Sequence, residues 1–174
     1  VGKALPLALH SEGEDVAIVM PYYKSIADTF HLDTICDTQT LFTEGKVYHF
    51  DVRALAWHGI TVYFVDYPEY FMRDGLYSNA YDAYEDNGER FSFFSGAVLQ
   101  TLQALSFTPD VIHCHDWHTA MLPYLLNHER SGFFEQTKTV FTIHNAAFQG
   151  VHSLEKIPFL RHHPHIFSQV HGGY

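Results

Sequence analysis

Cysteine is scarce in this chain: Cys36 and Cys114 are the only two among 174 residues, and no CxxC spacing occurs. A disulfide framework is therefore not indicated, and two cysteines in this arrangement suit a reducing compartment. Cys114 lies inside an apolar stretch and is expected to be a small buried hydrophobe. Basic charge is also short, with 10 Lys and Arg against 20 Asp and Glu, for a net charge of −10. That balance argues against a protein that tracks nucleic-acid phosphates, whose affinity would come from clustered Lys and Arg. No apolar run approaches the roughly 20 residues of a membrane-spanning helix, so no membrane partner is expected. The opening "VGKALPLALHSEGEDVAIVMPYY" lacks the basic region, apolar run and cleavage site of a secretory signal. It also lacks an initiating methionine, and a fragment is expected. Internal repeats, low-complexity tracts and linkers are missing too, so residues 1–174 are read as a single domain.

Apolar residues are plentiful, at 47% with 16% aromatic, enough for a substantial core. Leu5 and Leu9 share a helical face over residues 1–13, with Gly13 as the stop, and Pro6 either sits in the first turn or kinks the helix. "VAIVM" (16–20) is a continuous apolar run of the kind seen in strands buried on both faces. "KVYHFDVRAL" alternates, and "ITVYFVD" follows a His58–Gly59 turn, so both read as strands. From Tyr67 to Tyr84 the chain is aromatic-rich and irregular, and a long loop is expected. "DNGERFSFFSGAVLQTLQALS" gives the clearest helix, with Phe91, Phe94, Val98, Leu102 and Leu105 on one face. Asp86 and Glu89 have the spacing of a capping box. "DVIHC", "TAMLPYLLNHER" and "KTVFTIH" then read as strand, helix and strand, a parallel crossover unit. The fold class is α/β: a Rossmann-like, mostly parallel sheet flanked by helices. The last segment, from His152, has weak periodicity and is expected to be partly loop.

In open α/β sheets, ligands sit beyond the carboxyl ends of parallel strands. "DVIHC" runs out into His115, Asp116, Trp117 and His118, and "KTVFTIH" into His144, Asn145 and "AAFQG". Three readings compete for this cluster. His113, His115 and His118 could be zinc ligands, as in hydrolases with an H-x-H-x-D-H motif, but Asp116 and Trp117 break that pattern at its fourth ligand. A structural reading has His113 satisfied locally, Asp116 capping the next helix and Asn145 capping its own turn. A sugar site would use the same groups, since carboxylates and imidazoles bind vicinal hydroxyls while an aromatic ring covers an apolar sugar face.

The order "VGKALPLAL", "VAIVMPYY", "DNGERFSFF", "PDVIHCHDWHTAMLP" and "TVFTIHNAAFQG" resembles the amino-terminal domain of glycogen and starch synthases. The resemblance spans nearly the whole chain and is weakest at 24–60 and after Val151. It implies the amino-terminal half of a two-domain, GT-B type glycosyltransferase, cut at both ends. A Lys-x-Gly-Gly loop would precede the chain, and a carboxyl-terminal donor domain would follow it. The implied reaction transfers glucose from ADP-glucose, or UDP-glucose, to the non-reducing end of an α-1,4-glucan with retention of configuration. No cofactor and no metal is implied. By matching motif, Asp116 and His144 carry the catalytic roles, with Asp116 positioning or electrostatic and His144 holding the donor glucose. His118, Asn145, Gln149 and Tyr84 would bind substrate. The resemblance implies a bacterial cytoplasm, with a plastid stroma as the other compartment, and the 174 residues alone are expected to be inactive. Two alternatives stay open here: a non-catalytic glucan-binding module, and a zinc-dependent hydrolase using His113, His115 and His118.

Overall fold

The structure is a computed structural model that describes residues 2–43, 45–128, 132–153 and 156–157. Helix α1 (Ala4–Ser11) carries Pro6 in its first turn, and Gly13 follows at φ +96°, a left-handed stop that suits glycine. The chain continues through β1 (Ala17–Pro21), α2 (Lys24–Ala27), β2 (Thr34–Thr43), β3 (Lys46–Trp57), β4 (Ile60–Asp66) and the short α3 (Pro68–Phe71). Then come α4 (Asn87–Ala104), β5 (Val111–His115), a 3₁₀ turn (Trp117–Thr119), α5 (Met121–His128) and β6 (Lys138–Thr142).

One sheet has the order β1-β4-β3-β2, and a second contains β5 and β6. The pair β5–β6 is parallel, as the crossover reading requires, and β1–β4 is parallel too. The pairs β2–β3 and β3–β4 are antiparallel, so the sheet expected to be mostly parallel is parallel only in the other two pairs. The physical reason is connection length: two residues, His58 and Gly59, link β3 to β4, and a link that short can only make a hairpin. Strand β2 had no clear signature in the sequence. Its alternation is broken by register shifts between Thr34 and Gln39, where Thr38 takes φ +47°.

Helix α4 ties the architecture together. It is buried on nearly all sides, with Phe91, Phe93, Phe94, Val98 and Leu102 in one core with Tyr48, Phe50, Phe71, Leu122 and Phe134. Each such side chain stabilises the fold by at most about 1.5–3 kcal/mol through removal from water. Cys114 is 1% exposed within that core, as its apolar context suggested.

The expected capping box at the start of α4 does not form. Asp86 makes no side-chain cap bond; Arg73 grips its carboxylate with two donors at 2.8 and 2.6 Å. Glu89 instead accepts from Lys46, Tyr48 and Tyr70. Charged tertiary partners outcompete the local amides for both carboxylates. The loop expected at 67–84 is irregular apart from α3 and a bridge between Ser78 and Ala83. Of the segment from His152 onward, all but residues 152–153 and 156–157 lies outside the described residues.

Candidate sugar-binding site

The site is built where β5 ends. Asp116, the next residue, has φ +57° and ψ −179°, a region essentially reserved for glycine that costs another residue about 1–3 kcal/mol. Two bonds from the neighbouring strand's segment hold it there. The Asp116 amide donates to the Thr142 carbonyl at 2.9 Å, and its Oδ1 accepts the His144 amide at 2.7 Å. On the other side, the Thr119 hydroxyl accepts the His115 amide at 2.7 Å and tightens the 3₁₀ turn. The Asp116 carboxylate makes no cap bond to that turn. The two strand ends therefore meet, and Asp116 and His144 are direct neighbours.

His118 turns into an aromatic slot, with ring centroids 4.0 Å from Trp117, 4.5 Å from Tyr77 and 4.9 Å from Phe91. Its Nε2 is buried without a hydrogen-bond partner among the described residues. Burial pushes its pKa down to about 4, against an opposing pull from Asp116, so the ring is neutral at pH 7. A neutral imidazole can bond a hydroxyl, but this nitrogen is closed to solvent here, so a ligand reaches it only when the slot opens. Tyr77 is drawn into the same field: burial first, then the Asp116 charge, raises its pKa.

The other histidines form a separate row. His113 Nε2 lies 2.7 Å from Thr142 Oγ1, which satisfies it locally. The His113 and His115 rings are 4.3 Å apart, and His115 Nδ1 meets His144 Nε2 at 3.1 Å with the rings stacked. Burial, then His113 and His144, lowers the pKa of His115. His113 and His115 thus contact each other, while the ring contacts of His118 lie in its aromatic slot. Among the described residues, no group of three or more His, Cys, Asp or Glu side chains is arranged to hold a metal ion.

The loop after β6 folds back onto this cluster. Gly150, at φ +62°, lies so close to Trp117 that a Cβ there would stand 2.5 Å from the indole. Within the loop, Asn145 Oδ1 accepts the Ala147 amide at 3.0 Å, the self-capping turn its sequence context suggested, and Gln149 Nε2 donates to the Ala146 carbonyl at 3.3 Å. Both side chains are exposed and free to exchange these local partners for a ligand. The Tyr84 ring faces the Arg73 and Arg90 guanidiniums, 4.9 and 5.0 Å from its centroid. It lines an open cavity of about 870 Å³ with Lys24, Asp74, Asn79 and Tyr81. The tyrosine that touches His118 is Tyr77, which sequence reasoning did not single out. Nothing in its spacing marks it among the aromatic residues between Tyr67 and Tyr84.

The family described as the starch synthase catalytic domain matches residues 1–172. A glycogen synthase of Aeromonas salmonicida is 42% identical over 164 residues, covering 90% of this chain and 33% of that protein. A glycogen synthase of Photobacterium profundum is 43% identical over 159 residues, covering 90% and 31%. Among solved structures, the catalytic domain of starch synthase IV from Arabidopsis thaliana, bound to ADP and acarbose, matches with a TM-score of 0.71. Its sequence identity is 30%, over 90% of this chain and 32% of that one. The chain thus spans about a third of the length of the relatives it matches.

Proposed function

Because this chain belongs to the starch synthase catalytic-domain family, we propose that it forms the acceptor-side half of a retaining glucosyltransferase. The complete enzyme transfers glucose from ADP-glucose to the non-reducing end of an α-1,4-glucan, and a second domain supplies most donor contacts in a GT-B arrangement. The observation that carries this reading is the 2.7 Å bond from the His144 amide to Asp116 Oδ1. It joins the two strand ends into one polar wall beside the unpartnered His118 Nε2. The related plant structure, which holds ADP and acarbose, supports a nucleotide and glucan pair of ligands for this site as well.

In the proposed reaction the bond from glucose C1 to the diphosphate oxygen breaks. A new bond forms from C1 to the acceptor O4 on the same face, and the acceptor's hydroxyl proton passes to the leaving diphosphate. Asp116 places negative charge near the developing positive charge on the sugar ring. His144 holds the glucose, while His118 and Asn145 hold hydroxyls along the same wall. Gln149 and Tyr84 are proposed further along the substrate path. Holding the donor bond and acceptor hydroxyl in line is the main source of acceleration, because orientation replaces a bimolecular encounter. No cofactor or metal enters this scheme. Among the described residues, no helix is long and apolar enough to cross a membrane. A bacterial cytoplasmic location is part of the proposal, by analogy with the bacterial glycogen synthases the chain resembles.

The test is glucosyl transfer by the complete gene product to a maltooligosaccharide, with ADP-glucose and UDP-glucose offered in parallel. Chain lengthening by α-1,4-linked glucose, faster from ADP-glucose, is expected. Maltooligosaccharide binding with no transfer from either donor would replace the enzyme with a glucan-binding module.

A further inference from the structure

Most of the loop that carries Tyr77 is exposed, yet it is anchored on two buried polar side chains in the first turn of α4. Arg90 is 0% exposed. Its guanidinium donates to the Tyr70 carbonyl at 2.9 Å, to the Leu76 carbonyl from two nitrogens at 3.3 Å each, and to Asn87 Oδ1 at 2.6 Å. Among the described residues, none of these bonds goes to a carboxylate, and the neighbouring Asp86 is held by Arg73 instead. Asn87, 4% exposed, then passes the connection on: its Nδ2 donates to the Tyr77 carbonyl at 2.8 Å. That carbonyl also accepts the Tyr84 amide at 2.9 Å.

Burying a guanidinium with no bonded carboxylate is costly, and an apolar side chain of similar size would fill the same space without that cost. What only the planar fork supplies is several donors fixed in one geometry, here directed at the Tyr70 carbonyl in α3, the Leu76 carbonyl of the loop and the Asn87 side chain. The end of that chain of bonds is Tyr77, whose ring forms one side of the His118 slot.

We infer that Asn87 and Arg90 are positioning residues that fix Tyr77 against His118, so that the first turn of α4 sets the shape of the sugar wall. This rests on the glucosyl-transfer reading for its consequence, though not for the clamp itself. Asn87→Asp separates the clamp from simple packing: a carboxylate still accepts from Arg90 but cannot donate to the Tyr77 carbonyl.

Two readouts on the complete gene product test the inference. The first is amide hydrogen exchange over residues 77–84, expected to speed up by about tenfold or more in Asn87→Asp, while α4 beyond its first turn is unchanged. Unchanged exchange in the loop overturns the clamp, whether or not the protein transfers glucose. The second is kcat/KM for transfer in Asn87→Asp, Tyr77→Ala and the double variant. Each single change is expected to cost about tenfold, and the double variant to stay within about twofold of Tyr77→Ala alone. Losses that multiply in the double variant would overturn a role for Asn87 through Tyr77. Full rescue by Asp relative to Asn87→Ala would do the same, because it would leave only a packing role.

Discussion

Asp116 carries its backbone strain because two bonds to the β6 strand end hold it, and those bonds also aim its carboxylate at His144. In Asp116→Asn an amide oxygen can still accept the His144 amide. Unfolding free energy is therefore expected to stay within about 1 kcal/mol, while transfer falls about a hundredfold through the lost charge. Denaturant titration and an initial-rate assay on the same preparation check both halves. His118 makes a separate contribution through pH. Its folded pKa, pushed to about 4 by burial, lies below its ordinary value of 6.5, so as pH falls the unfolded chain takes up the proton first. Stability is then expected to fall as pH drops from about 6.5 toward 4, by at most about 1.4 kcal/mol per pH unit from this residue. His118→Phe, which keeps a ring in the slot, should flatten that slope by about one proton, as read from urea midpoints across this window. His115 and His152, which burial also pushes down, keep a residual slope.

At the scale of elements, α4 is held by charges its sequence pattern assigned to something else. Burial alone would raise the pKa of Glu89, but the hydroxyls of Tyr70 and Tyr48 and the Lys46 ammonium outweigh it and hold the carboxyl below its usual value. Glu89→Ala leaves those groups without their shared acceptor and is expected to cost about 2–3 kcal/mol in chemical denaturation. A simple capping role would predict about 1 kcal/mol. The turn after β6 offers a packing test. Gly150→Ala must displace the Trp117 indole and adopt a left-handed φ, so a stability loss of about 2–4 kcal/mol and a shift in Trp117 fluorescence are expected.

The same elements show what the residues disclose by themselves. Helix α4 was readable because Phe91, Phe94, Val98 and Leu102 recur at helical spacing, even though the helix is buried on nearly all sides, β4 because an apolar run follows the His58–Gly59 turn, and β5 and β6 because apolar runs end in polar clusters. Strand β2 was not readable, since its bulged residues interrupt the alternation. Glu89 and Asp86 satisfied a local spacing rule, and distant Lys46 and Arg73 then claimed them. Asp116, His118 and His144 stood out by residue type and by their place after two strands, and the family resemblance implied their roles. Tyr77 did not, because its place at the site comes from Asn87 and Arg90 on a different element.

For the molecule as a whole, the polar wall lies at the carboxyl ends of β5 and β6, and the chain covers about a third of its relatives. An excised 1–174 piece is expected to show no turnover above background in the transfer assay, since it would offer only one side of a cleft. Turnover at a rate comparable to the complete gene product would show that the donor contacts lie within these residues. The most direct measurement of the central claim is a crystal structure of the complete gene product with ADP and a maltooligosaccharide. The expected result is a glucose ring at the joined strand ends, with hydroxyls about 3 Å from His118 Nε2 and the His144 ring and with Asp116 facing the ring. A sugar bound elsewhere, with Asp116, His118 and His144 left in contact only with protein and water, would contradict it.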